Sequence, residues 1–441
     1  MVSADIYAAD GVSRLTVDNI VYSGNNKGVT VPAELTATSV ISNLTVENRT
    51  VANENLVLDN VTMKNISTDS LPGGALRAYK NVTIAGGEFS DNFLNGKMTE
   101  FGGNYSRGGA VFVDGSIEMS EETAPGSGQK KQVIVNIVKG ENGEAAIFRG
   151  NTSYGYGGAI YAKCTQLNVS DAVIAENVSP FMEGGAVYLE GNASFKNVYF
   201  YGNTATGTTR AGGALFLSSA SVVSIEGCTF ERNKAGSGNG GAISVYRAGA
   251  TVSIKNSQFL EATDTINNAG KVTFSGNITL NASLMGSGTF VAENGTSFTL
   301  GNGISLAGLD LSNSTITVDG SIYAGEAVTI ASNVGGLGEY TINNKGDYSK
   351  LILELDAENN LILKENIISS TITGDSTGDT FAGIGNNADL IVSINDVTAE
   401  KVFSGSEDGV ADGKITTTMD GGKITNLYGG GKVSAESTNL T

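Results

Sequence analysis

The sequence contains no histidine, and this absence excludes much of the usual catalytic chemistry. Imidazole general bases, Ser-His triads and most transition-metal sites depend on that residue. Carboxylates do not replace it, because the sequence has no Asp-Asp pair and no set of acids at repeat spacing. Asp114, Glu176 and Glu231 are isolated acids that we expect on solvated faces or turns. We therefore name no catalytic residue and expect no cofactor and no bound metal.

Long apolar runs and basic residues are also scarce. No apolar run approaches the roughly 18 residues of a membrane-spanning helix, so the sequence predicts no transmembrane segment. Met1–Asp5 has neither a basic start nor an apolar stretch. No signal peptide is visible, and we expect a mature or excised part of a longer protein. With 27 basic against 45 acidic residues the net charge is −18, which argues against binding to nucleic acid or to anionic membranes.

Only two cysteines are present, and they occupy different places in their repeat units. Cys228 lies two residues before Phe230, whereas Cys164 lies ten residues before Ile174. A disulfide requires closely spaced Cα atoms, so the sequence favours two buried thiols over a bridge.

What the chain does have is a repeat. An aromatic or aliphatic residue, two variable residues and an Asn are followed by Gly-Gly-Ala and an aliphatic residue. The four copies are Phe148–Asn151 with Gly157–Ile160, Ile174–Asn177 with Gly184–Val187, Phe200–Asn203 with Gly212–Leu215, and Phe230–Asn233 with Gly240–Ile243. Their first glycines are 27, 28 and 28 residues apart. A fixed period of this size indicates stacked supersecondary units.

The segments between the motifs predict short strands. They are rich in β-branched and aromatic residues and are bounded by Gly, Asn, Ser and Thr, as in Ser221–Ile225. Repeats of about 28 residues leave no room for crossover helices, so each repeat should form one coil of a parallel β-solenoid. The Phe of each coil should stack on the next Phe, the Asn should form a ladder, and Gly-Gly should permit close backbone approach.

Spacing divides the chain further. We predict an N-terminal cap with first coils at 1–50, regular coils at 51–270, and plainer, shorter coils at 271–441. Extra residues between Phe89 and Gly108 predict a loop at Phe93–Arg107. The excess between Gly108 and Phe148 is either one degenerate coil or, as we favour, a loop around Glu121–Lys131 with returning strands. Such loops either carry binding or are tolerated insertions. A weaker repeat at Phe381, Phe403 and Tyr428 predicts further coils near the C-terminus.

The paired motifs resemble the Gly-Gly-Ala-Ile and Phe-x-x-Asn repeats of the chlamydial polymorphic outer-membrane protein family. The resemblance covers at least Gly73 to Ile243, with weaker echoes to Asn277. It implies an all-β fold, a right-handed parallel β-helix of the pectin-lyase-like kind. It also implies an autotransporter-like passenger at the bacterial cell surface, in the outer membrane or outside the cell, as for the several family members that are adhesins.

Three functions are compatible with these observations. The first is a non-catalytic adhesin that binds a host or cell-surface protein or glycan, or a second copy of itself. The second is a carbohydrate-active β-helix enzyme, a polysaccharide lyase or hydrolase. The third is a passive structural spacer. The fold alone does not choose among them, and the missing chemistry favours the first.

Overall fold

The computed structural model describes residues 19–23, 31–69, 72–95, 106–115, 132–207, 211–236, 240–346, 350–373, 376–381, 389–403 and 415–428. These residues form 44 strands, numbered β1 to β44 along the chain, and one short 3-10 helix at Gly320–Ile322. The chain divides into two compact units, Met1–Ile316 with Ser332–Glu339 and Thr317–Ala331 with Tyr340–Thr441.

In the first unit the chain winds in coils, and equivalent strands of successive coils pair in parallel. Column I contains β2 (Glu34–Leu35), β4 (Thr50–Ala52), β8 (Leu76–Ala78), β12 (Val111–Asp114), the first halves of β16 (Ile160–Ser170) and β19 (Val187–Lys196), β22 (Leu215–Leu217), β26 (Ile243–Val245), β29 (Ile266–Asn268) and β32 (Leu284–Met285). Column II contains β1 (Asn19–Ser23), β3 (Thr38–Ser42), β5 (Leu56–Asp59), β9 (Val82–Ala85), β13 (Ile134–Val138), the second halves of β16 and β19, β23 (Val222–Glu226), β27 (Thr251–Lys255), β30 (Lys271–Ser275) and β33 (Thr289–Ala292).

Two further columns complete each regular coil. Column III contains β6 (Thr62–Lys64), β10 (Glu88–Ser90), β14 (Ile147–Arg149), β17 (Val173–Ala175), β20 (Tyr199–Tyr201), β24 (Thr229–Glu231), β28 (Gln258–Phe259), β31 (Asn277–Leu280) and β34 (Ser297–Leu300). Column IV contains β7 (Ser67–Thr68), β11 (Phe93–Leu94), β15 (Thr152–Ser153), β18 (Val178–Ser179), β21 (Thr204–Ala205) and β25 (Lys234–Ala235). The predicted parallel β-helix is confirmed; its handedness stays a prediction.

The core of the first unit contains the predicted column of aromatic rings. Phe148, Ile174, Phe200 and Phe230 are register partners in column III, and none has any exposed side chain. The rings of Phe200 and Phe230 stack with their centroids 4.8 Å apart and their planes within 5°. Each such side chain contributes about 1.5–3 kcal/mol by leaving water.

Beside this column, the repeat asparagines form the predicted ladder. The members are Asn92, Asn151, Asn177, Asn203 and Asn233, and all are fully buried. Each Nδ2 from the first to the fourth member donates to the Oδ1 of the next, at 2.9–3.0 Å. Each of the five also donates through Nδ2 to a backbone carbonyl one coil earlier, at 2.8–3.0 Å. The ladder therefore satisfies its buried amide groups along the whole regular region.

The second glycine of each Gly-Gly pair lies against the next coil. In Gly185, a Cβ would overlap the carbonyl oxygen of Gly213 and the backbone of Thr204. The first glycine has a different requirement, because Gly157 and Gly184 adopt φ values of 67° and 75°. The first glycine therefore provides a left-handed turn, and the second glycine permits the close approach of the next coil.

Both predicted insertions lie within single coils. β12 and β13 pair with the same neighbouring coils, so the excess between Gly108 and Phe148 is an excursion and not an extra coil. Residues 116–131, including the predicted loop Glu121–Lys131, lie outside the described residues. The other loop was predicted too wide. Phe93 and Leu94 form β11, and Arg107 bridges to Tyr156, which leaves the insertion between them.

Beyond Ile243 the strands depart from the repeat at two places. Phe274 lies in column II, where it pairs with Ile254, and Leu280 continues the aromatic column instead. Phe274–Asn277 is therefore not a copy of the motif. Leu351–Leu355, within the region predicted to form plainer coils, is β39 and forms an antiparallel hairpin with β40 (Leu361–Glu365). Asp356 accepts backbone hydrogen bonds in the intervening turn, which favours the hairpin.

The remaining strands include a second parallel stack within the second unit. Between the regular coils and the hairpin lie β35 (Ile304–Asp310), β36 (Thr315–Asp319), β37 (Val328–Gly336) and β38 (Glu339–Asn343). The stack itself consists of β41 (Ile367–Thr373), β42 (Ser376–Phe381), β43 (Asp389–Phe403) and β44 (Ile415–Tyr428). Phe381, Phe403 and Tyr428 are register partners, which confirms the weaker C-terminal repeat.

Candidate binding groove

An outward-facing aromatic row runs along column I. The residue after the aliphatic position of Gly-Gly-Ala points away from the core, because side chains alternate along a strand. In three successive coils this residue is Tyr161, Tyr188 and Phe216, and the coil before them supplies Phe112. Neighbouring ring centroids lie 5.1–5.3 Å apart with interplanar angles of 8–22°. In-register pairing thus stacks the rings on the side of column I that faces away from the core.

The row is covered at its N-terminal end. Phe112 is fully buried and Tyr161 is 3% exposed. The Arg77 guanidinium lies 5.8 Å from the centroid of the Phe112 ring, and the Arg107 guanidinium lies 5.3 Å from that of Tyr161. Both distances allow cation–π attraction. Beyond them Tyr188 is partly exposed, whereas Phe216 is again only 3% exposed.

There the row forms the floor of a groove of about 860 Å³. The floor and walls are aromatic, and the rims carry hydroxyl, carboxylate and guanidinium groups. The principal lining side chains are Tyr156, Tyr188, Phe216 and Tyr246, with Glu183, Glu190, Ser218, Ser219 and Arg247. An aromatic lining with a few convergent polar groups is the usual composition of a ligand site.

Hydrogen bonds hold the rim on the side of Glu190. Its Oε1 accepts from the Tyr161 hydroxyl at 2.8 Å, and its Oε2 lies 3.7 Å from Lys163 Nζ. Burial, followed by the neighbouring Glu190, raises the pKa of Tyr161 far above its usual value. Burial raises the pKa of Tyr188 to about 12, although a hydrogen bond with Ser218 acts in the opposite direction. Both phenols therefore stay protonated and act as hydrogen-bonding groups.

The opposite end of the groove is set by Arg247. Its Nε donates to the backbone carbonyl of Ser218 at 3.2 Å, and its guanidinium lies 4.6 Å from the centroid of the Tyr246 ring. Tyr246 stacks on Phe216 although the register partner of Phe216 is Ser244, two residues earlier in the chain. Because the rings cover one another's faces, a ligand meets mainly ring edges and polar groups.

A smaller groove of about 470 Å³ lies on the column III side. There Arg232 is 3.7 Å from Glu261 and donates to the Tyr201 hydroxyl at 3.1 Å. Its charge is thus matched within the protein, and it provides a comparison for Arg247.

The structure assigns different environments to the isolated acids. Glu176 lies in a turn at φ 55°, with Arg149 3.4 Å away, and Glu231 accepts from the Tyr199 hydroxyl at 2.7 Å. The prediction for Asp114 was wrong, because this residue ends β12 and is only 3% exposed. The described part of the chain contains no group of three or more acidic or cysteine side chains arranged to hold a metal. No helix within it is long and apolar enough to cross a membrane.

The spacing of the motifs indicated loops that either bind a partner or are tolerated insertions, and it did not identify this row. Its signal was present, since Val111-Phe112, Ile160-Tyr161, Val187-Tyr188 and Leu215-Phe216 all place an aromatic residue after the aliphatic one.

Comparison with known proteins agrees with the repeat architecture. The model of the Chlamydia polymorphic membrane protein repeat matches residues 145–163 and 227–246. Each matched segment runs from a column III strand, through a ladder Asn and Gly-Gly-Ala, to column I. The chain therefore carries polymorphic membrane protein repeats. No curated protein and no solved structure matches it significantly.

Proposed function

We propose that this chain is a surface-exposed, non-catalytic passenger that binds cell-surface material in the groove over column I. The observation that carries the proposal is the groove itself, an aromatic floor with polar rims on a rigid stack of coils. The polymorphic membrane protein repeats support a location at the bacterial surface. The Asn ladder supports the rigidity, because it fixes the spacing of the coils beneath the row.

A cell-adhesion assay with groove variants tests this function. Glu183→Gln combined with Arg247→Gln changes two rim charges while it leaves the stacked rings in place. We expect adhesion of the purified protein to fall about fivefold or more, as for the loss of charged rim contacts. Arg232→Gln is the matched control, because that guanidinium also lies near a tyrosine ring but belongs to the smaller groove and not to the groove over column I. Unchanged adhesion in the double variant, or equal loss in the control, contradicts the proposal.

The enzymatic alternative has one structural point in its favour. Glu183 and Glu190 both line the groove, and paired carboxylates can cleave glycosides without histidine. The same preparations should therefore be incubated with polysaccharides and the reducing ends measured. Turnover that Glu183→Gln or Glu190→Gln abolishes would replace the binding proposal with a hydrolase.

A further inference from the structure

Three arginines lie on consecutive coils at the N-terminal end of the aromatic row, and no described residue forms an ion pair with them. They are Arg49, Arg77 and Arg107, and each is partly exposed. In contrast, Arg149 and Arg232 lie within 4 Å of glutamate oxygens. A chain with a net charge of −18 has ample acidic residues to pair with these three. Arg247 also has no ion pair among the described residues, but Arg49, Arg77 and Arg107 are grouped on consecutive coils, and this grouping of unpaired positive charge distinguishes their surface.

Hydrogen bonds link the chain segments that carry the three arginines. Arg49 donates through Nε to the carbonyl of Gly73 at 2.8 Å and through Nη2 to that of Pro72 at 2.7 Å. The amide of Gly73 in turn donates to the carbonyl of Arg107 at 2.9 Å. Arg77 follows four residues after Gly73, with its guanidinium 4.9 Å from the centroid of the Tyr79 ring. Burial, followed by the charge of Arg77, lowers the pKa of Arg49, which agrees with this proximity.

Two of the three have unsatisfied donors. Within the described chain, Nε of Arg77 and Nε of Arg107 are buried atoms without a hydrogen-bond partner. Buried polar groups are nearly always paired, so these two donors mark an incompletely satisfied environment around the two guanidinium groups. The aromatic rings beside these side chains stabilise the positive charge but accept no strong hydrogen bond. The two Nε atoms lie beneath other protein atoms, so an outside ligand meets the exposed parts of the two side chains, whose positive charge has no carboxylate partner and therefore favours an anion.

We propose that Arg49, Arg77 and Arg107 form a binding site for a single oxyanion, the carboxylate or sulfate group of an acidic glycan. A planar guanidinium matches such a group with two parallel hydrogen bonds. The negative charge of the rest of the chain repels long polyanions, so the site favours an isolated acidic sugar. The inference goes beyond the proposed function, since it concerns a different set of residues from the groove.

The test uses an oligosaccharide that ends in a uronic acid, the same oligosaccharide with that carboxyl reduced to an alcohol, and a sulfated counterpart. Affinities for the full chain are measured by titration calorimetry. We expect the wild type to bind an acidic form and to bind the reduced form about tenfold more weakly or not at all. The carboxylate and sulfate arms identify which oxyanion is preferred.

Variants connect that affinity to the three side chains. Arg77→Gln with Arg107→Gln should lower the affinity for the acidic form about tenfold or more, and Arg77→Lys with Arg107→Lys should lower it less. The control Arg149→Gln should leave it unchanged. Equal binding of acidic and reduced forms, no binding of either acidic form, or full affinity in the Gln variant overturns the proposal. Cell adhesion through the groove would remain in each of those outcomes, so the two proposals fail separately.

Discussion

The side-chain amide of Asn233 donates to Oδ1 of Asp264 at 2.9 Å, and the asparagine ladder ends there. The backbone amide of Asn233 donates to the same oxygen at 2.8 Å. Oδ2 accepts from the backbone amides of Arg232 and Glu261, each at 3.1 Å. Every ladder amide donates toward the next coil, so the last position needs a group that only accepts. An ionised carboxylate meets that need.

Asp264 should make stability depend on pH. Burial raises its pKa from 3.8 to about 6 against the effect of its hydrogen bonds. A carboxyl group with a higher pKa in the folded state binds its proton more tightly there. Its contribution to the free energy of unfolding therefore increases as the pH falls from above 6 to below 4, by up to about 3 kcal/mol.

The comparison protein is Asp264→Asn, which cannot titrate. Denaturant unfolding of both proteins between pH 8 and pH 4 gives the free energy of unfolding of the wild type minus that of the variant. The contributions of the other carboxyl groups cancel in this difference, because both proteins contain them. We expect the difference to change in favour of the wild type as the pH falls. A difference that stays constant across this range would show that Asp264 has an ordinary pKa.

Asn177→Ala should destabilise the fold strongly. The Asn177 side chain donates to Phe148 O and to Asn203 Oδ1, each at 3.0 Å, and accepts from Asn151. Its removal leaves several buried groups unpaired, so we expect the free energy of unfolding to fall by about 3–5 kcal/mol. The control is Asn168→Ala, which removes two half-buried bonds, one donated to Asn136 at 2.9 Å and one accepted from Gln166 at 3.0 Å. That variant should lose about 1 kcal/mol or less; equal losses would mean that the ladder adds nothing beyond surface hydrogen bonds.

The regular coils could be predicted from the sequence because each position repeats one physical requirement. Phe148 and Phe200 recur where a large ring fills the core, Asn151 where a buried amide must be satisfied, and Gly185 where two backbones meet. Asp264 could not be found in this way. It lies five residues after Phe259, whereas each ladder asparagine lies three residues after the core residue of its own motif. Only the structure shows that the longer turn brings Asp264 back to the ladder.

The binding surface was harder to predict for a different reason. Tyr188 and Phe216 follow the expected strand alternation, but an outward aromatic residue can be solvated, stacked or covered by a partner. The aligned motifs place Arg77 beside Phe112, because Arg77 follows Leu76 as Phe112 follows Val111, but they do not show whether the guanidinium covers the ring. Contacts between successive coils decide these features, and the spacing of one coil does not encode them.

Gly185→Ala should be as damaging as the loss of a core side chain. Gly185 has an ordinary φ, so alanine adds no conformational strain, but its Cβ would overlap the backbone of Thr204 and Gly213. We expect a loss of about 3 kcal/mol or more in the free energy of unfolding. Gly295→Ala separates the two effects, because Gly295 has a φ of 79° with nothing near its Cβ position. That change should cost about 1–2 kcal/mol; a smaller loss for Gly185→Ala would show that the coils can move apart.

The two cysteines should be unreactive in the folded protein. Both are free and buried, as the sequence favoured, with Cys228 fully enclosed and Cys164 9% exposed. Burial raises the pKa of Cys164 to about 12 and that of Cys228 to about 11. Because the thiolate is the reactive form, an aromatic disulfide reagent at pH 8 should label neither residue within the time that labels both in denaturant. The single variants Cys164→Ser and Cys228→Ser assign any slow reaction to one thiol, with Cys164 expected to react first. Rapid labelling of the native protein, or a mass two hydrogens lower without reductant, would show that the coils around these thiols open readily or allow them to pair.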